Sequence, residues 1–348
     1  MWGEVASLIK KGKKFLITTH LNPDGDAIGS ELALHAFLSS MGKEVRVINV
    51  NPTPPHYRFL DTNDVIEVFA AGTSKSDCFD CDIIFVLDIS TSKRLGPLGN
   101  IVLSSPARKI CIDHHQSNDR FADVNVISTG VCATGELIYD LIMFMRGWLD
   151  SDVALPLYVS VMTDTGTFRF SNTNDRTHLI ASHLVNSGVN PRDVYEQIYE
   201  NNSVGQVRLL SKILGTLEVT EDGRIAWIKV SRSMFEDTGS NPEDLEGMID
   251  YLRMIGGVEV CLLFLEREMG GTKVSFRSKG DFDVNLFASR YGGGGHQHAS
   301  GMVLEDDLDK SASRVIEDLM QSMNPDSHGE TGVGAGTLGD GNDGSSGA

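Results

Sequence analysis

The stretch that most constrains the fold is a run of apolar residues that ends abruptly in a polar, turn-forming segment. Residues 15–19 read FLITT, and residues 20–30 read HLNPDGDAIGS. The first run is typical of a strand buried in a parallel sheet, and the second, with its proline and glycines, of a turn that leads into a helix. Because open α/β sheets bind ligands beyond the carboxyl ends of their strands, we expect a functional site here.

Three polar residues of this turn, His20, Asp24 and Asp26, are candidates for a metal site. Two carboxylates about 4 Å apart repel each other by roughly 4 kcal/mol at an effective dielectric constant near 20, and a divalent cation relieves that repulsion. The alternative is structural, because aspartate is also favoured at the start of a helix, which we predict near Ala27. These three residues alone do not distinguish a metal site from a helix cap, and the other motifs of the chain are needed for that.

Polar residues also follow two further apolar runs of the same kind. Residues 82–88 end in Asp88, which either faces the same sheet edge or caps a helix over residues 90–94. Residues 109–115 end in an acid and two histidines, which are Asp113, His114 and His115. Adjacent histidines beside an acid favour metal or phosphate chemistry over an ordinary surface role. Three strands therefore deliver polar side chains to one sheet edge.

The rest of the pattern divides the chain into an N-terminal and a C-terminal α/β region. Helices are predicted over residues 133–146 and 152–162, and the second leads into another acid, Asp164. Helical segments continue through residues 175–214, after which a second set of strands begins, with helices predicted over residues 244–254 and 308–320. At 348 residues the chain is long enough for two domains, each with its own apolar core.

Four successive glycines, residues 292–295, mark the C-terminal region. Because each glycine costs backbone entropy, we predict that the run forms no packed element and instead approaches a ligand closely, with amide groups that cradle a phosphate. Arg277 and His296 support this over the alternative, a flexible surface loop. The run lacks the Gly-Lys-Ser/Thr ending of a P-loop, and residues 25–29 do not match the dinucleotide fingerprint, so both nucleotide-binding folds are excluded.

Composition excludes several classes of protein. A formal net charge of −18 disfavours a protein that coats long nucleic acid, so we expect a small anionic substrate held by bound cations and a few arginines. The apolar stretches fall short of the roughly 20 residues that cross a bilayer. The start of the chain does not resemble a signal peptide, and five cysteines fit a reducing compartment, so we expect a cytoplasmic protein.

Together these motifs resemble the DHH phosphoesterase superfamily. They are His20-x-Asn22-Pro23-Asp24-x-Asp26, Asp88, Asp113-His114-His115, Asp164 and the loop of residues 292–301. Within it the chain is most similar to the nano-RNase/pAp phosphatase group, which is RecJ-like, over about residues 1–322. The resemblance implies a parallel-sheet α/β DHH domain (residues 1–185), a helical linker (186–214) and a smaller α/β DHHA1 substrate-binding domain (215–322). The composition of residues 323–348 predicts a disordered tail.

The resemblance also implies a site for two divalent metal ions, usually Mn²⁺. One ion would be bound by His20 and Asp24, and Asp88 would bridge the two. The other ion would be bound by three residues, Asp26, His114 and Asp164. The donor set agrees, because mixed oxygen and nitrogen ligation without sulfur suits manganese better than structural zinc.

Substrate contacts are implied on both domains, with the reaction expected in the cleft between them. His115 would contact the scissile phosphate, while Asp113 is expected to orient a histidine. The residues implied to bind the nucleotide or terminal phosphate are Arg277, Ser278, Gly293, Gly294, Gly295 and His296. No role is assigned to Gln297 or His298.

The function expected from this resemblance is hydrolysis of very short RNA oligomers and of 3'-phosphoadenosine 5'-phosphate (pAp), with Asp88 and His115 as the catalytic residues. A cyclic di-AMP or pApA phosphodiesterase and a non-catalytic nucleotide sensor are the alternatives. Inorganic pyrophosphatases of the superfamily lack the glycine run, and RecJ exonucleases carry extra domains, so both are disfavoured. A homodimer is compatible with the sequence.

Overall fold

The chain forms two compact units, which divide between residues 201 and 202. The structure, a computed structural model, describes residues 2–70, 80–245 and 247–323, without the side chain of His296. The predicted tail lies outside these residues apart from Met323, which ends the last helix. Among the helices in these ranges, none is both long enough and apolar enough to cross a bilayer.

The first unit is built on a six-stranded sheet in which each strand pairs with its neighbours in parallel, in the order β3-β2-β1-β4-β5-β6. This confirms the predicted fold class. The order changes direction between β1 and β4, and ligands bind at such switch points in open α/β sheets. The strands are β1 (Lys14–Thr18), β2 (Glu44–Asn49), β3 (Ile66–Val68), β4 (Ile83–Leu87), β5 (Arg108–Asp113) and β6 (Val124–Ile127).

Helices and turns cover both faces of this sheet. The helices are α1 (Trp2–Lys11), α2 (Gly25–Ser40), α3 (Gly99–Ser104), α4 (Thr134–Met145), α5 (Ser151–Asp164), α6 (Asp175–Asn186) and α7 (Pro191–Tyr199). Ile17 and Phe85 belong to the core that includes residues of α2, α4 and α5, whereas Leu16 and Val86 face the core of the other side. Burial on both faces explains why these strands are almost continuously apolar.

Helices α2 and α5 pack unusually closely. A Cβ atom on Gly29 would lie 2.4 Å from the carbonyl oxygen of Pro156, so glycine is needed at this crossing. Helix α2 also begins two residues earlier than Ala27, the predicted start, and therefore includes Asp26 in its first turn. This packing brings Asp26 towards the end of α5.

The second unit contains a mixed six-stranded sheet in the order β11-β12-β10-β9-β8-β7, in which only the β8–β9 pair is parallel. Phe264 and Phe276 lie in its core with Val315. The strands are β7 (Glu218–Val219), β8 (Ile225–Val230), β9 (Val260–Glu266), β10 (Thr272–Ser278), β11 (Gly294–His296) and β12 (Ala299–Leu304). The helices are α8 (Val204–Leu214), α9 (Arg232–Thr238), α10 (Asp250–Arg253), α11 (Val284–Ser289) and α12 (Leu308–Met323).

Two sequence interpretations of this unit were wrong. A helix predicted over residues 244–254 is replaced by a 3₁₀ turn (Pro242–Leu245) and the short α10, because Gly247 between them is left-handed, with φ of +74°. The glycine run is not free of packed structure, because Gly294–His296 forms β11 against β12. A Cβ on Gly293 would lie 2.3 Å from the carbonyl oxygen of Gly301, so glycine permits this close backbone contact.

Candidate metal centre at the edge of the parallel sheet

His20 and Asp88 face each other because they follow adjacent parallel strands. His20 lies just beyond the end of β1 and Asp88 directly follows β4, and both are buried. The Nε2 atom of His20 is 3.5 Å from Oδ2 of Asp88, while its Nδ1 is 2.8 Å from the carbonyl oxygen of Leu21. Donation from Nδ1–H to that carbonyl leaves Nε2 as the atom that can bind a metal.

Asp24 both caps a helix and joins this group. Its Oδ1 accepts hydrogen bonds from the backbone amides of Asp26 and Ala27, each at 3.1 Å. The interpretation of Asp24 as a helix cap is therefore confirmed. One possible ligand atom from each of His20, Asp24 and Asp88 nevertheless lies within 4.8 Å of the others. Because a carboxylate has about four lone-pair sites, capping leaves capacity for a metal.

His114 lies at the centre of a second group. Its Nε2 is 3.6 Å from Oδ2 of Asp26, 3.6 Å from Oδ1 of Asp88 and 3.7 Å from Oδ2 of Asp164. These distances are too long for hydrogen bonds. Two ligand atoms each about 2.1 Å from one ion lie about 3 to 3.6 Å apart, so the spacing suits atoms around a shared cation. Asp88, which takes part in both groups, is placed to join them.

Four donors hold the Asp26 carboxylate in a defined orientation. Its Oδ2 accepts from the amide of Thr134 at 2.7 Å, and its Oδ1 accepts from the amide of Gly135 at 3.0 Å. The hydroxyls of Ser30 and Ser160 donate to Oδ1 at 3.1 and 2.6 Å. The sequence analysis missed Thr134 and Ser160, because no local spacing links them to a residue more than a hundred positions away.

The acids of the cluster raise one another's pKa values. Burial, together with the charge of Asp88, raises the pKa of Asp26 to about 7. Burial and the charges of Asp26 and Asp88 raise the pKa of Asp164 well above its usual value. In residues 2–70, 80–245 and 247–323, no lysine or arginine forms an ion pair with Asp24, Asp26, Asp88 or Asp164. The donor set and its unbalanced charge fit divalent cations.

Asp88 behaves differently from the other acids. Burial raises its pKa, but the nearby imidazole of His20 and the positive fields of His114 and His115 outweigh burial and lower the pKa below its ordinary value. Thr134 also donates its hydroxyl to Oδ1 of Asp88 at 3.0 Å. Asp88 has φ of +54°, so it turns the chain at the end of β4, and it does not cap the following 3₁₀ turn, whose cap residue is Thr91.

His115 is oriented by a short chain of hydrogen bonds. Its Nδ1 is 2.6 Å from Oδ1 of Asp113, and Asn118 donates to Oδ2 of Asp113 at 2.7 Å. Nδ1 is also the His115 nitrogen that lies 3.7 Å from Oδ1 of Asp88. Because Nδ1–H donates to Asp113, this nitrogen is a poor metal ligand and Nε2 is the atom with acceptor capacity.

Asn172 was also missed by sequence reasoning. It donates to the carbonyl oxygens of Cys132 and Asp164 at 2.9 and 3.1 Å, and to Oδ2 of Asp164 at 3.3 Å. Asn172 therefore fixes the end of α5, where Asp164 lies. Nothing in the sequence marks this role, because a turn-forming asparagine is common in any loop.

The candidate residues of the second unit lie at the end of β10 and in the β11–β12 hairpin. Arg277 donates from Nη1 to the carbonyl oxygen of Phe276 at 3.0 Å, and burial lowers its pKa. Ser278 is buried, donates to the carbonyl oxygen of Phe282 at 2.8 Å, and lies 3.0 Å from Nδ1 of His298. His298, to which the sequence assigned no role, therefore supports Ser278.

A parallel sheet that gathers acids and imidazoles at its switch point is typical of metal-binding α/β enzymes, and the comparisons give the family. Residues 14–161 match the model of the DHH family, N-terminal domain, and residues 222–323 match the DHHA1 domain. The chain belongs to the DHH family of phosphoesterases.

Relatives match nearly the whole chain. This chain is 30% identical over 315 residues to the bifunctional oligoribonuclease and PAP phosphatase NrnA of Thermus thermophilus. The match covers 88% of this chain and 89% of that protein. The chain is 27% identical to the protein of the same name from Bacillus subtilis, covering 87% and 93%. The solved structure of an exopolyphosphatase-related protein from Bacteroides fragilis matches this chain with 30% sequence identity and a TM-score of 0.88. The match covers 92% of this chain and 96% of that chain.

Proposed function

We propose that this protein is a metal-dependent phosphohydrolase that acts on short oligoribonucleotides and on pAp. The observation that carries the proposal is the convergence of His20, Asp24 and Asp88, and of Asp26, His114 and Asp164, into two groups with ligand spacing. The relatives named for both activities, which match most of the chain, support the choice of substrates.

The metal ligands in this proposal are divided as the two groups suggest. His20 and Asp24 would hold one ion, Asp26, His114 and Asp164 would hold the other, and Asp88 would contribute to both. Manganese suits this set of carboxylates and imidazoles. Two such ions, when bound, supply hydroxide at neutral pH and neutralise charge on the phosphoryl oxygens. The chain then needs no nucleophilic side chain of its own.

The remaining residues position the substrate. Asp113, held by Asn118, keeps the proton of His115 on Nδ1, so that Nε2 is directed to the scissile phosphate. Thr134 and Ser160 keep the oxygens of Asp88 and Asp26 in place. In the second unit, we assign binding of the nucleotide or terminal phosphate to Arg277, Ser278, His296 and the glycines Gly293, Gly294 and Gly295.

The experiment that tests this function compares substrates under matched conditions. The full chain is incubated with MnCl₂ and with pAp, di- and triribonucleotides, linear pApA, cyclic di-AMP or pyrophosphate, and products are separated by chromatography. Release of phosphate from pAp and of mononucleotides from the short RNAs is expected, and EDTA should abolish both. Binding of these compounds without any product would contradict an enzyme and favour a nucleotide sensor.

Asp88→Asn tests the residue shared by both groups. It should lower kcat for pAp and for short RNA by roughly 10³-fold, because one oxygen ligand of the proposed site is replaced by a neutral amide. Asp175→Asn, an exposed carboxylate at the start of α6, is the matched control and should leave kcat unchanged. Undiminished hydrolysis by Asp88→Asn would remove Asp88 from the mechanism.

A further inference from the structure

One arginine lies near the metal centre and is not among the candidate metal ligands. Arg94 lies in the 3₁₀ turn Ser92–Leu98, which follows β4 and Asp88. Its carbonyl oxygen accepts a hydrogen bond from the amide of Leu21 at 2.8 Å. Leu21 directly follows His20, so this bond ties the turn to the loop that carries the first candidate metal group.

A second contact fixes the same turn. The side chain of Leu21 packs against Gly96, where a Cβ atom would lie 2.8 Å from Cδ2 of Leu21 and where φ is +56°. At the beginning of the turn, the carboxylate of Asp119 accepts from the amide and the hydroxyl of Ser92, at 3.0 and 3.1 Å. The backbone of Arg94 is therefore held in place beside the metal centre, and a contact on each side of Arg94 maintains it.

The side chain of Arg94 is available to an anion. Arg94 is partly buried, and within the described part of the chain its guanidinium forms no hydrogen bond and no ion pair. This is unexpected in a chain with 48 acidic and 30 basic residues. An arginine beside several carboxylates that is paired with none of them fits an external anionic partner better than a structural salt bridge.

The hydrogen bond from Leu21 also places Arg94 beside one of the two candidate groups. Leu21 directly follows His20, which belongs with Asp24 and Asp88 to the first group. The backbone of Arg94 therefore lies on the side of the centre formed by His20 and Asp24.

We propose that Arg94 is a substrate-binding residue that donates hydrogen bonds to a non-bridging oxygen of the phosphoryl group undergoing hydrolysis, on the His20 and Asp24 side of the centre. The inference rests on the proposed function and adds a contact to it. A planar guanidinium can bind two phosphate oxygens at once and stabilises charge that develops on them. Because the chain has a net charge of −18, such a local cation also offsets repulsion of the substrate.

The test uses Arg94→Ala and Arg94→Lys in the full chain, with Lys93→Ala as the matched control. Lys93 is the exposed neighbour on the same turn, so its removal changes the net charge equally. With Mn²⁺ and pAp, Arg94→Ala should lower kcat/KM by about 100-fold. Arg94→Lys should recover part of that loss, since it keeps the charge without the planar pair of donors. Lys93→Ala should stay within about twofold of the unchanged protein.

Binding measurements separate a direct contact from a structural effect. Calorimetric titration should find Mn²⁺ affinity and stoichiometry unchanged in Arg94→Ala, while inorganic phosphate binds the Mn²⁺-loaded variant at least about tenfold more weakly. Added guanidinium chloride at low, non-denaturing concentration should restore part of the activity of Arg94→Ala and none of that of Asp88→Asn. Weakened Mn²⁺ binding or a lowered Tm in Arg94→Ala would overturn the proposal, as would unchanged phosphate binding.

The two proposals fail in different ways. If the unchanged protein hydrolyses neither pAp nor short RNA, the proposed function is wrong. The phosphate titration then still tests Arg94, because it compares binding of inorganic phosphate and requires no turnover. If the unchanged protein is active and Arg94→Ala keeps both its kcat/KM and its phosphate affinity, only the role of Arg94 is wrong.

Discussion

The sheet edge of the first unit and the glycine-rich hairpin of the second differ in how their polar groups are satisfied. At the sheet edge, the carboxylates of Asp26 and Asp164 lie close together with no lysine or arginine of the described residues paired to them, and burial raises the pKa of both. In the second unit, Ser278 and Arg277 donate to backbone carbonyls of their own unit, and the glycines allow strands to touch. The acid-rich first region therefore has a charge that bound cations would balance, whereas the second is held by its own hydrogen bonds and backbone packing.

This difference predicts how substitutions behave. Changes at the sheet edge should reduce metal binding and activity while sparing the fold or even stabilising it without metal. Changes in the hairpin should affect the fold of the second unit as well as substrate affinity. Four experiments, ordered from the largest expected effect to the smallest, can contradict or refine this contrast.

Asp164→Asn should show the contrast most clearly. We expect kcat to fall by roughly 10³-fold. With EDTA present, Tm should rise by about 2–4 °C, because the amide no longer repels Asp26 and Asp88. Asp152→Asn, an exposed acid on the same helix, is the control and should change neither kcat nor Tm. A lower Tm in EDTA would mean that Asp164 stabilises the fold independently of metal.

Gly293→Ala should damage the hairpin. Its Cβ would lie 2.3 Å from the carbonyl oxygen of Gly301, so the strands must separate, at a cost of about 3 kcal/mol. Calorimetry should record a lower Tm, with Mn²⁺ binding unchanged. Gly294→Ala is the matched control, because its Cβ would meet nothing closer than Oδ1 of Asn285, at 3.8 Å. Equal Tm values for the two variants would show that close contact does not explain the glycine run.

Arg277→Ala should weaken substrate binding with little effect on chemistry. Loss of one charged contact raises KM for pAp by about 10- to 100-fold, while kcat changes less. Arg267→Ala, an exposed arginine in the preceding turn, serves as the control for net charge and should leave KM unchanged. If kcat falls and KM does not, the division of roles between the two units is wrong.

Glu31→Gln tests whether the first unit contains a buried acid with a raised pKa outside the set of candidate metal ligands. Glu31 is fully buried, its Oε2 accepts from Asn49 at 2.8 Å, and its Oε1 has no hydrogen-bond partner. Burial raises its pKa from 4.5 to about 8, so the folded protein keeps a proton that the unfolded chain releases. The stability from that proton is complete below about pH 4.5 and is lost as the pH rises through about 8.

Glu31→Gln removes this dependence because the amide does not titrate. Relative to the unchanged protein, its Tm should be higher by about 2 °C near pH 9, and the gain should shrink near pH 5. Glu196→Gln, an exposed glutamate on α7, should show no such trend with pH. A difference that grows towards acid pH would mean that Glu31 is ionised in the folded protein.

The sequence by itself determined the architecture of the first unit and the candidate ligands. Continuous apolar runs predict buried parallel strands, and polar residues directly after them must lie at one sheet edge, which is why Asp88 and His114 could be found without coordinates. The sequence also indicated a role for the glycine run, although it did not predict β11. Strand pairing there depends on residues 299–304, and a local pattern does not contain that partner.

Only the tertiary structure decided which residues support the ligands and which groups they form. The hydroxyl of Ser160 reaches Asp26 across 134 positions of sequence, and it does so because Gly29 allows α2 and α5 to approach closely. Asn172 likewise joins separate segments, because it donates to the carbonyl oxygen of Cys132 as well as to Asp164. Periodicity and strand ends are local and are encoded in neighbouring residues, whereas hydrogen bonds and charge balance depend on distances that exist only after the chain has folded.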